Sequence, residues 1–124
     1  MKKGGDMKLG QVKKVVDVSA YDINDILVGA FEGGSNYWAR KVEVVDDDYK
    51  GGEYASDVVG LGGELIIHTI DGEKRKLTQA MMVDGIQKYL DDGGFNYPFH
   101  NTQPDAYTYD TILQNALFKE VVYG

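Results

Sequence analysis

The chain has 124 residues, 43% of them hydrophobic and 27% charged, which fits one globular domain with a modest core and excludes global disorder. It has no cysteine, which excludes disulfides, thiolate metal sites and cysteine nucleophiles and makes a cytosolic setting the expectation. The formal charge is −7, with residues 1–20 at +3 and residues 21–124 at −10; a body this acidic repels a phosphate backbone, so no direct nucleic-acid binding is expected, and it suits a basic protein partner or a mimic of nucleic acid.

The first ten residues, MKKGGDMKLG, carry lysines without an apolar segment behind them, so they read as a flexible tail rather than a signal peptide. Residues 11–124 read as a single domain. No run reaches the ~18 apolar residues of a membrane span. Residues 11–19 contain VKKVVDV, whose valines predict a first strand. Asp22 then offers an N-cap, and Ile23, Ile26, Leu27, Ala30 and Phe31 recur at the spacing of one helical face until Gly33 and Gly34 stop the helix.

Residues 36–45 predict a strand with Trp38, Arg40, Val42 and Val44 on one face and Tyr37, Ala39, Lys41, Glu43 and Val45 on the other; a helix capped by Ser35 is the competing reading. Asp46, Asp47 and Asp48 close it as a solvated acidic turn. Residues 53–61 predict a short helix with Ala55, Val58 and Val59 inward, stopped by Gly62 and Gly63. Residues 64–70 and 73–77 flank Asp71-Gly72, the pattern of a hairpin with a two-residue turn. Thr78 caps a helix carrying Met82, Ile86, Tyr89 and Leu90, and Gly93-Gly94 ends it. After a loop with Pro98 and Pro104, Asp105 caps a last helix striped by Ile112, Leu113, Ala116, Leu117 and Val121. This order predicts an α+β domain of about four mostly antiparallel strands with three to four helices packed on the sheet.

Residues 46–57 mimic a calcium loop, with Asp46, Asp48 and Asp57 at ligand positions and Gly51 at the turn. Lys50, however, puts a cation where a ligand belongs, and Asp57 is shorter than the required bidentate glutamate. Gly60 to Gly63 lacks the lysine and the following helix of a phosphate loop and reads as a helix stop. His68 and His100 have no metal-ligand spacing, and no serine has a nucleophile-elbow context, so no catalytic residue, metal or cofactor is expected. His100, among Tyr97, Phe99 and Asn101, is a candidate for ligand contact. Asn36, Tyr37, Trp38 and Arg40 combine an amide, two aromatics and a guanidinium, a set able to stack and hydrogen-bond a planar ligand. The plainer reading of Trp38 is a core anchor. Nine tyrosines are many for this length and hint at an interface.

Residues 25–44 (DILVGAFEGGSNYWARKVEV), 53–57 (EYASD), Gly62-Gly63 and 115–124 (NALFKEVVYG) carry a resemblance. Together they resemble a family of small phage and mobile-element proteins of Gram-positive bacteria. The resemblance spans most of residues 20–124; it implies an accessory gene expressed in the cytoplasm of the bacterial host cell, and it implies no catalytic residues. The expectation is a non-enzymatic phage or prophage accessory protein that acts by binding, in a role that antagonises host defence. One version binds a basic host protein through Asp46, Asp47, Asp48, Glu53 and Asp57. The other sequesters a small nucleotide-like ligand at Asn36, Tyr37, Trp38, Arg40 and His100. The alternatives are a small hydrolase-like enzyme and a structural phage protein, and the free edges of a small sheet leave homo-oligomer formation open.

Overall fold

In the computed structural model, which describes residues 9–12, 15–94 and 105–124, the first regular element is helix α1 (Ala20–Gly29). The strand expected over residues 11–19 is a correction: the described part of that segment belongs to no strand of the sheet. Val16 and Val18 instead pack half-buried against the core, so their alternation records burial without a ladder. The cap is also one turn earlier than expected. Ser19 Oγ accepts from Asp22 N (3.1 Å) and Asp22 Oδ2 accepts from Ser19 N (2.9 Å), a reciprocal capping box in which Asp22 is the third helical residue. Ile23, Ile26 and Leu27 are the buried face, and the helix runs into a wider π-helical turn over Ala30–Gly34.

Strand β1 (Ala39–Val44) pairs antiparallel with β2 (Leu65–Thr69), which pairs antiparallel with β3 (Lys74–Leu77). The sheet of the described residues thus has three strands, in the order β1-β2-β3, and not about four. Leu65, Ile67 and Thr69 are buried, and Ala39, Val42 and Val44 lie opposite them. A bulge between Ala39 and Lys41 makes Arg40 the extra residue and resets the alternation, so Ala39 rather than Arg40 shares the inner face with Val42. The hairpin loop is three residues rather than two. Thr69 N donates to Glu73 O, Gly72 N donates to Thr69 O, and Gly72 is the loop residue with positive φ (+84°), whereas the type I′ turn that Asp-Gly favours needs positive φ at both central residues.

Helix α2 (Ala55–Val58) is a single turn, and Val58 and Val59 beside it are buried. Helix α3 (Gln79–Asp91) is capped by Thr78 as expected, and α4 (Ala106–Phe118) by Asp105, whose Oδ1 accepts from Thr108 N at 2.9 Å. The four helices give an α+β fold with the sheet covered on one face. Trp38, Ile26, Leu27, Leu65, Ile67, Met82, Ile86, Ile112 and Leu113 fill the space between them. Val121 lies past the helix end and is 48% exposed, so it leaves the predicted stripe. No helix of the described residues is long and apolar enough to cross a membrane.

Candidate functional site

Asp110 and Gln114 stand one turn apart on α4, on the side that meets the π turn and the residues after it. That turn approaches closely because Gly34 has no side chain: a Cβ there would fall 2.6 Å from the Ala106 carbonyl oxygen. Ser35 O then accepts from both Trp38 N and Ala39 N, a tight turn that delivers three side chains to one carboxylate. Ser35 Oγ donates to Asp110 Oδ1 at 2.9 Å, Trp38 Nε1 to the same oxygen at 2.7 Å, and Tyr37 OH to Oδ2 at 2.5 Å. Gln114 Nε2 adds a bond to Oδ2 at 3.1 Å. Asp110 is 6% exposed, and Ser35, Trp38 and Gln114 are fully buried.

The same glutamine holds the last residues. Lys119 takes a left-handed conformation (φ 63°), which ends α4 and turns the chain back. Gln114 Oε1 accepts from Val122 N and Tyr123 N, both at 2.8 Å, and Gln114 Nε2 lies 3.1 Å from Tyr123 O. The Tyr123 ring stacks on Trp38 (centroids 5.1 Å apart, planes within 5°), and Phe118 meets Trp38 edge-on at 5.5 Å. Tyr123 OH reaches Asp71 Oδ2 in the hairpin loop at 2.8 Å. One buried carboxylate and one amide therefore tie together the π turn, α4 and the tail, and the Tyr123 hydroxyl adds the hairpin loop.

Between the π turn, the first turns of α4 and the tail lies an open cleft of about 610 Å³, with Tyr37, Tyr107, Thr111, Val121 and Tyr123 on its walls and Asp110 at its floor. Burial, together with Asp110, pushes the Tyr37 phenol up to about 12, and Tyr107 is near enough to add to that effect. The phenol is therefore a proton donor at neutral pH.

The sequence-derived site residues do not converge. Tyr37 and Trp38 belong to the Asp110 cluster; Trp38 is a fully buried core anchor covered by Tyr123, not an open stacking face. Asn36 and Arg40 are exposed and outside the cluster, and Arg40 sits on the bulge of β1. His100 lies outside the described residues. Of the acidic set, Asp46, Asp47 and Asp48 are exposed on a 3₁₀ turn, with Asp46 and Asp47 both at φ 56°. Asp48 pairs with Lys50 at 3.0 Å, and Glu53 is exposed. Asp57 is committed internally: it accepts from Glu53 N, Tyr54 N and Asn24 Nδ2, with the two backbone bonds holding its carboxyl below the usual range. His68 bonds Glu43 across the open face of the sheet. Among the described residues no three His, Asp or Glu side chains are placed to hold a metal ion.

Asp110, Gln114, Tyr107 and Tyr123 are absent from the set read from sequence. The signals were the excess of tyrosines and the mixing of Thr108, Asp110, Gln114 and Asn115 with the apolar residues of α4, where all four are buried. Compared with known proteins, the chain matches no family model, no curated protein and no solved structure, so the cleft stands on its own geometry.

Proposed function

We propose that this chain is a non-catalytic binding protein whose ligand seat is the tyrosine-walled cleft over Asp110, working as an accessory protein of a phage or prophage in its bacterial host. The observation that carries the reading is the state of the groups at the cleft. Asp110 already accepts four hydrogen bonds from the protein itself, so both its oxygens are engaged in holding the cluster together. Tyr37 is held protonated well above neutral pH. A wall of tyrosines around a pre-formed recess is the composition of a recognition site. Amide-resolved NMR of the labelled protein against a library of small planar compounds tests this. Binders should shift Gly33, Gly34, Thr111, Val121 and Gly124, and Tyr107→Ala should weaken them about tenfold. Binders that shift only other regions would overturn the cleft as the seat.

A second reading rests on a separate observation, the exposed run Asp46-Asp47-Asp48, where two aspartates sit in the left-handed region. Such a turn presents carboxylates to a basic host protein, and blocking that protein would be the anti-defence role. This version requires an association that weakens steeply with salt.

A further inference from the structure

The cleft has a charge character that selects among ligands. Asp110 lines it, and the hydrogen bonds Asp110 receives from the described side chains all come from neutral donors: a serine, a tyrosine, a tryptophan and a glutamine. Among the described residues, no ion pair includes Asp110, and no lysine, arginine or histidine lines the cleft. The buried carboxylate is thus solvated by dipoles, with no counter-charge among the described residues, and at 6% exposure it is screened far less than the carboxylates on the surface. The N-terminus of α4 also opens here and would by itself attract an anion. Asp105 already occupies it, accepting from Thr108 N and Thr108 Oγ1. Tyr37, Tyr107 and Tyr123 complete the walls with rings whose faces attract cations.

We infer that the cleft seats an organic cation: an alkylammonium or guanidinium group, carried either by a small molecule or by a lysine or arginine side chain of a partner protein. The inference rests on the cleft being the ligand seat and narrows its chemistry. It also turns the ligand class away from a phosphate-bearing nucleotide, because Arg40, the guanidinium of the set expected to bind a nucleotide-like ligand, is not among the residues lining the cleft. A cation enters with its apolar stem along Val121 and the tyrosine rings and its charge toward Asp110.

Three probes of one shape and different charge separate the outcomes: n-butylammonium, n-butanol and butyrate, each titrated into the labelled full chain at constant ionic strength to roughly 100 mM, the weak range suited to so few atoms. The expected result is that n-butylammonium shifts Gly34, Thr111, Val121 and Gly124 at concentrations at least tenfold lower than the other two. Equal or tighter binding of n-butanol or butyrate at the same amides overturns the cation inference and leaves the cleft reading standing. Silence of those amides to all three overturns both. Asp110→Asn should abolish the preference for the cation. If that variant fails to fold, Thr111→Lys, which places an ammonium at the half-buried rim, should weaken n-butylammonium and not n-butanol. Tetramethylammonium and N-acetyl-lysinamide then distinguish the source: tighter binding of the first points to a small quaternary ligand, and of the second to a partner's side chain.

Discussion

Asp110 shows how much one residue organises. A carboxylate with four donors is stable in a core only while the donors remain aimed at it, and three of those donors come from a segment more than seventy positions away in the chain. Asp110→Ala takes the acceptor from the buried Trp38 N–H and Ser35 hydroxyl, so unfolding in urea should show a loss of about 3–5 kcal/mol. A loss below about 1 kcal/mol would mean that water already satisfies the cluster. Tyr37 reports the same cluster by titration. Its pKa is raised from the ordinary value of 10.0 to about 12, so the unfolded chain releases a proton that the folded chain keeps. The stability it contributes is complete below pH 10.0 and is lost as pH rises toward about 12. Ultraviolet titration should find Tyr37 ionising late, with Tyr109 and Tyr123 also raised, and Asp110→Asn should lower the Tyr37 value in part, since burial remains.

At the scale of elements, the fold rests on α3 and α4 lying unusually close. A Cβ at Gly85 would sit 2.9 Å from the Ala116 Cβ and 2.9 Å from the Ile112 carbonyl oxygen, so the two helices touch through backbone. Gly85→Ala gains up to about 1 kcal/mol of helix propensity. It must also push the helices apart, at a cost of about 1–3 kcal/mol. Thermal unfolding should therefore show a lower Tm than the parent; a higher one would mean that the helices have room to part. The tail is the other element with a decided place. It has no regular structure, yet Gln114, Trp38 and Asp71 hold it by two backbone bonds, a ring stack and a hydroxyl. Val121 and Tyr123 thereby become cleft walls.

Over the whole molecule the dominant fact is charge. With −10 on residues 21–124, the folded body repels itself, and added potassium chloride should raise Tm at neutral pH by screening that repulsion. The acidic turn concentrates the effect. Asp46→Asn with Asp47→Asn removes two exposed charges while keeping residues that tolerate the left-handed region. This double variant should be the more stable protein at low salt and should converge with the parent at high salt. A difference that persists in high salt would point to backbone strain rather than repulsion.

Local chemistry made much of the fold legible in the sequence. The caps Thr78 and Asp105, the Asp71-Gly72 hairpin and the glycine stops at Gly62 and Gly93 all act within a few residues, and so do the signals that reveal them. The valines before α1 misled because alternation reports which side chains are buried; a strand also needs a partner, which is a non-local fact. The cleft was legible only at Tyr37. Asp110 and Gln114 sit in a helix buried on most of its sides, where periodicity cannot separate a polar cluster from the core around it. What the chain determines by itself is its elements, its acidity and its stock of tyrosines. Only tertiary packing decides which carboxylate lies under which rings, because that depends on contacts between residues far apart in the chain.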